Sequence, residues 1–218
     1  MVAIPFVTGS LPLDDDRPTK ALMTGLGGGS IENYLRSRFR KIHLTSVEID
    51  PIVVHLAKNY FGIVESERHS VIVEDAVKYI AHKAAENEHF DAIFLDICPM
   101  ERQFIPCPIE EFRTAENIAL LRKLLGENGT LTVNLVFFMQ MDELRTNPTE
   151  PKKFGEIIKM YFKIFEWCKI VVAEEANIVL ACAAKEPKDY SMKLGYVSAK
   201  LGIPTSKGWV KADEDYFS

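Results

Sequence analysis

Between Lys20 and Ser30 the chain reads KALMTGLGGGS, a short apolar run that ends in four glycines within five residues, Gly25, Gly27, Gly28 and Gly29, and leads into residues with helical spacing. That order is strand, turn, helix. Glycine is favoured where backbone must take positive φ or lie against a ligand with no side chain between them. The helix that follows offers unpaired N–H groups to an anionic group. The next apolar run ends in VEIDP, which puts Glu48 nineteen residues after Gly29, where a carboxylate can accept hydrogen bonds from both hydroxyls of a ribose. A glycine cradle followed at this distance by a strand-end acid points to a ligand that carries a nucleoside.

The rest of the chain repeats the alternation. Strands are expected at residues 21–24, 42–49, 70–73, 90–97 and 130–138, with helical spacing after the glycines and at 52–61, from Val77 onward, at 112–125 and at 154–165. FDAIFLDI is a nearly continuous apolar run, as expected of a strand covered on both faces of a parallel sheet. Residues 169–173 and 178–183 are close enough for an antiparallel hairpin, and one more helix is expected near 192–201. The pattern predicts an α/β, Rossmann-like fold: a seven-stranded, mostly parallel sheet with an antiparallel C-terminal hairpin and helices on both faces. Ligands of such sheets bind outside the carboxyl ends of the strands. Gly25 to Gly29, Glu48, Asp75 and Asp96 all fall at those ends.

Local signals refine this. Ser30 is expected to cap the helix after the glycines and Asp50 the helix that opens at Pro51. Asp75 has two readings that can coexist, a helix cap and an acceptor for an exocyclic adenine amine. Residues 1–19, with Pro5, Gly9, Pro12, Pro18 and three consecutive aspartates, read as an irregular lead-in holding one short strand at most. Residues 20–218 read as one domain, since no linker-like stretch divides them.

Composition narrows the partners. Lys and Arg number 26 against 31 Asp and Glu, a net charge of −5, which disfavours a nucleic-acid backbone binder. No apolar run approaches the roughly 20 residues that cross a bilayer. The first residues lack the basic and long apolar regions of a secretory signal. Cys98, Cys107, Cys168 and Cys182 form no C-x-x-C pair and are read as free thiols. The expected location is therefore cytoplasmic. The five histidines are scattered without metal-ligand spacing, so no metal is expected. Cys98 is read as a loop residue, and oligomeric state is left open.

The dinucleotide fingerprint G-x-G-x-x-G would need glycine at position 30, and Ser30 stands there. The segments GLGGGSIENYL, VEIDP, NYFGIVESERHSVIVEDAVKYI, FDAIFLDI and NLVF instead resemble the class I S-adenosylmethionine-dependent methyltransferases of the spermidine synthase-like group, and within it those that methylate elongation factor 1-alpha. The resemblance implies S-adenosylmethionine as cofactor and S-adenosylhomocysteine as product. It sets Gly25, Gly27, Gly28 and Gly29 under the methionine part, Glu48 on the ribose, Ile49 against adenine, and Asp75 with Ala76 at the adenine edge. Asp96 would lie beside the reactive methyl as the catalytic residue and orient an amine of a protein substrate. Two further functions are kept in view: polyamine aminopropyl transfer, and a silent module that binds the cofactor or serves interactions. The aminopropyl-transferring members carry a second acid shortly after the strand-four aspartate. Here the run is Asp96-Ile97-Cys98-Pro99-Met100-Glu101, which disfavours polyamine synthesis. Residues 1–19 also fail to match the family's segment ahead of the first strand, which covers the cofactor.

Overall fold

The computed structural model describes residues 1–99, 103–137, 149–172, 177–203 and 209–210. Its sheet contains β1 (Thr19–Thr24), β2 (Ile42–Glu48), β3 (His69–Val73), β4 (Phe90–Leu95), β5 (Leu125–Val136), β6 (Trp167–Val172), β7 (Asn177–Ala183) and the two-residue β8 (Trp209–Val210). They lie in the order β3-β2-β1-β4-β5-β7-β6-β8. β1 to β5 pair in parallel, while β7 runs antiparallel to both β5 and β6. The seven expected strands and the terminal hairpin are present. β8 adds a short antiparallel pairing of Trp209 with Val171.

The helices are α1 (Ala3–Thr8), α2 (Ser30–Arg38), α3 (Pro51–Tyr60), α4 (Ala76–Ala85), α5 (Ala115–Leu124), α6 (Thr149–Ile164) and α7 (Tyr190–Leu201). Asp50 caps α3 through a 2.8 Å bond from the Ile52 N–H, and Pro51 occupies the first turn, where it sacrifices no hydrogen bond. Ser30 is not a cap. It is the first residue of α2, and Gly29, at φ 66°, takes the cap position without a side-chain bond. Residues 1–19 also differ from the irregular lead-in expected of them: they carry α1, whose Ile4, Phe6 and Val7 are buried. The Thr8 and Thr130 hydroxyls meet at 2.6 Å and fasten this helix to β5.

Alternate residues of each central strand feed two cores, as the pleat requires. Leu22, Ile93, Leu131 and Val133 pack with Tyr79, Ile118, Leu121, Phe154 and Tyr161 of α4, α5 and α6. Ala21, Met23, Ala92 and Phe94 face the other way, onto Phe6, Leu35, Phe39, Val197 and Leu201. Each large side chain so buried contributes about 1.5–3 kcal/mol, so the sheet is held rigidly from both sides.

The expectation of free thiols is corrected. Cys98 is bonded to Cys107, and Cys168 of β6 to Cys182, its register partner on β7. Sequence spacing cannot reveal this, because each bridge joins residues that the fold brings face to face.

Candidate active site

Strand order reverses between β1 and β4, so crossovers leave in opposite directions and a crevice opens at the carboxyl ends. The glycine turn starts there. Gly25 has φ 86°, and a Cβ on it would stand 2.1 Å from the Asp96 carbonyl oxygen. Glycine is what lets the ends of β1 and β4 close up. Gly29 backs onto Ile63, whose side chain would be 2.2 Å from an added Cβ. Gly27 differs, because a Cβ there would meet nothing within 4 Å. Its bare backbone faces open space and is the part of the turn that can lie against a bound group.

Glu48 closes β2 and turns onto this loop. Its Oε2 accepts from the Leu26 N–H at 2.9 Å and its Oε1 from the Asp50 N–H at 3.1 Å. A carboxylate has about four acceptor positions, so two remain for the paired hydroxyls of a ribose. Ile49, next in the chain, is 65% exposed and presents an apolar surface. Asp75 accepts the Val77 N–H at 2.8 Å as the cap of α4, and Ala76 begins that helix. The cap uses one oxygen and leaves the other for an amine. The residues present therefore fit a nucleoside with a cationic or polar extension over Gly27.

Asp96 follows β4. Its N–H donates to the Thr24 carbonyl at 3.0 Å, which binds it to the end of β1. Its side-chain Oδ1 accepts from Asn134 Nδ2 at 2.8 Å. Asn134, on β5, has no role in the sequence reading. A signal existed: Asn134 interrupts the apolar run of LTVNLV, a strand covered on both faces, where a polar side chain needs a partner.

A second missed feature lies behind the turn. Glu32, in the first turn of α2, is only 1% exposed. Ser46 Oγ donates to Glu32 Oε1 at 3.2 Å and lies 3.0 Å from His69 Nε2, while His69 Nδ1 sits 3.3 Å from the Val64 carbonyl. Desolvation, aided by the charge of Asp96 and opposed by hydrogen bonds, raises the Glu32 carboxyl to about 7. Burial lowers the His69 imidazole below its ordinary value.

Among the described residues, recesses also lie outside this crevice. One of about 540 Å³, bordered by Lys20, His43 and Asp91, is at the amino ends of the strands, away from the glycine turn; its Lys20 pairs with Glu88. Another, about 560 Å³, lies between Phe104, Ile105 and Arg113 on one side and Ile157 and Met160 of α6 on the other. Glu101 lies outside the described residues. Cys98, being disulfide-bonded, is not a free thiol nucleophile. Among the described residues no group of three or more His, Cys, Asp or Glu could hold a metal ion, and no helix is long and apolar enough to cross a membrane.

The chain is similar to proteins of two activities. A Drosophila melanogaster protein named eEF1A lysine and N-terminal methyltransferase homolog is 28% identical over 167 residues, 76% of this chain and 23% of that protein. A polyamine aminopropyltransferase of Vibrio vulnificus is 32% identical over 135 residues, 61% of this chain and 44% of that one. This chain thus spans less than a quarter of the fly relative's length. In fold it matches the crystal structure of human methyltransferase-like protein 13 in complex with SAH, with a TM-score of 0.76 at 22% identity over 96% of this chain and 94% of that one. The profile of the spermine/spermidine synthase domain matches residues 10–190, and the chain belongs to that family.

Proposed function

We propose that this chain is an S-adenosylmethionine-dependent methyltransferase acting on an amine of a protein. The observation that carries the reading is the convergence, at one switch point, of the open backbone of Gly27, the Glu48 carboxylate turned onto the glycine turn, and the Asp96 side chain. In this reading Gly25 to Gly29 hold the methionine part, Glu48 the ribose, and Ile49, Asp75 and Ala76 the adenine.

Bound there, S-adenosylmethionine would supply a methyl group made electrophilic by its sulfonium. The chain's own work is positioning. An amine forms the new bond through its lone pair, so it must arrive unprotonated or lose a proton first. Asp96 is the group that meets it. Asn134 occupies Oδ1, which leaves Oδ2 to accept an N–H of the acceptor and aim the nitrogen. Alignment of this kind can account for much of the acceleration, with no covalent enzyme intermediate.

The fly relative's name specifies eEF1A as its acceptor; the same class of acceptor, a protein amine, is proposed here. Aminopropyl transfer is the second reading, favoured by the family profile and the Vibrio relative. Against it stands the run Ile97-Cys98-Pro99 after Asp96, which lacks the second acid. Incubation of the purified chain with methyl-labelled S-adenosylmethionine and eEF1A, and separately with decarboxylated S-adenosylmethionine and a diamine, separates the readings. Label in a protein band supports methylation, and its absence with polyamine produced instead supports the second reading. A cytoplasmic location stays part of the proposal, though the paired cysteines withdraw one of its grounds.

A further inference from the structure

We propose that the Cys98–Cys107 bridge is a reversible redox site, reduced by a dithiol in the folded chain, and that its state sets how firmly Asp96 is held. The two bridges differ in their surroundings. Cys168 is 6% and Cys182 0% exposed, and both lie inside the core that α4, α5 and α6 cover. As register partners on β6 and β7 they join strands that the backbone ladder already holds. Cys98 is exposed, while Cys107 is buried. Exchange begins when a thiolate reaches one sulfur of a bridge, so access decides which bridge reacts.

The exchange balances between bridge and reductant. One thiolate of the dithiol bonds to the Cys98 sulfur, and the Cys107 sulfur leaves with the electron pair and takes a proton. The second thiolate then attacks the reagent's own sulfur in that mixed disulfide, closes the reagent into a cyclic disulfide and releases Cys98 as the second thiol. Two electrons and two protons pass to the protein, and the oxidised reagent restores the bridge by the reverse steps.

The consequence follows from a closed circuit of contacts around Asp96. Cys98 stands two residues beyond it, and the bridge leads to Cys107, whose carbonyl accepts the Val136 N–H at 3.2 Å. Val136 ends β5 two residues beyond Asn134, and Asn134 Nδ2 returns to Asp96 Oδ1 at 2.8 Å. Reduction opens this circuit. Its far side stays fixed, because Arg113 donates to the Ile105 and Pro108 carbonyls and Phe112 is fully buried. The freed side is therefore the chain that follows Asp96. Gly27 follows β1 and Glu48 closes β2, outside the β4 and β5 pair, so the proposed cofactor contacts are expected to hold. That a loosened Asp96 slows methyl transfer rests on the methyltransferase reading; the exchange itself does not.

Timed exposure of the wild-type chain to dithiothreitol, followed by acid quench, alkylation and peptide mapping, tests the site. Cys98 and Cys107 are expected to become alkylatable at least about tenfold faster than Cys168 and Cys182, which must wait for local opening of the core. Equal rates for all four, or earlier reaction of Cys168 and Cys182, overturn the site. Amide hydrogen exchange of the partly reduced chain reads the circuit without substrate: peptides holding Asp96 and Val136 should exchange faster than in the oxidised chain, and the peptide holding Gly27 should not. Unchanged exchange at Asp96 and Val136 overturns the link to Asp96. With labelled S-adenosylmethionine and eEF1A, the partly reduced chain should transfer methyl at least about tenfold more slowly, since small misplacements cost rate steeply, and recover with oxidised dithiothreitol. A Cys98→Ser, Cys107→Ser double variant should bind the cofactor as the wild type does, transfer slowly and ignore the dithiol. Equal transfer in both redox states overturns the link, whereas no transfer in either state contradicts the methyltransferase reading alone.

Discussion

Asn134 Nδ2 donates to Asp96 Oδ1 at 2.8 Å, joining the ends of two neighbouring parallel strands. A hydrogen bond to a charged group contributes about 1.5–3 kcal/mol, and about 1.4 kcal/mol is tenfold in rate. Asn134→Ala is therefore expected to lower kcat by roughly tenfold to a hundredfold while cofactor affinity holds. Asn134→Asp sets a second carboxylate against Asp96, which should shift the activity profile to higher pH. Steady-state kinetics with a parallel cofactor titration checks both, and an unchanged kcat in Asn134→Ala would remove this residue from the mechanism.

The glycines of the turn are expected to divide by what surrounds them. Gly25→Ala forces a Cβ to 2.1 Å from the Asp96 carbonyl oxygen at φ 86°, which combines overpacking with backbone strain and should cost on the order of 2–4 kcal/mol of stability. Gly27→Ala meets no atom within 4 Å, so its cost in stability should stay near the about 1 kcal/mol of a left-handed alanine. Its Cβ enters the space proposed for the cofactor, and binding should weaken instead. Urea unfolding and cofactor titration of the two variants give opposite rankings on this account; the same ranking in both assays would contradict it.

Glu32 sets a pH dependence whose sign follows from burial. Its folded carboxyl stands at about 7 against 4.5 unperturbed, so between those values the folded state holds a proton that the unfolded chain has released. Stability should fall as pH rises through that window and level off above about 7, by on the order of 3 kcal/mol at most. His69 acts in the opposite sense. Burial lowers its imidazole below 6.5, so its contribution is present above 6.5 and lost as pH falls through the lowered value. The two slopes oppose each other between the lowered His69 value and 6.5, so the decline set by Glu32 alone is expected from 6.5 to about 7. Urea unfolding at a series of pH values checks this, and Glu32→Gln should abolish the decline toward neutral pH. A decline that survives in Glu32→Gln would assign it to another group.

What was legible in the sequence was whatever depends on local pattern. The β1 turn, the Glu48 and Asp96 strand ends, the Asp50 and Asp75 caps and the β6 to β7 hairpin each rest on a few adjacent residues whose conformational preferences agree. What was missed depends on pairing across the fold. Nothing near Cys98 or Cys168 in sequence announces its bridge partner, and Glu32, Ser46 and His69 come from three separate elements. α1 was obscured by its proline. Pro5 lies in the first turn of that helix, where its missing N–H costs nothing.

The two bridges carry their own prediction. A disulfide closing a loop of about 15 residues, the span of Cys168 to Cys182, contributes about 3 kcal/mol. A reductant should lower the urea midpoint by a corresponding amount, and peptide mapping without reduction should recover Cys98 with Cys107 and Cys168 with Cys182. Four alkylatable thiols in the untreated protein would contradict the pairing.

Isothermal titration of S-adenosylmethionine into the wild type and Glu48→Ala tests the proposed pocket most directly. The wild type should bind one equivalent, and the substitution should weaken binding by about 1–3 kcal/mol, the cost of leaving polar groups of a ribose unpaired. No binding to the wild type, or equal affinity in the variant, would contradict the placement of the cofactor between Gly27 and Glu48.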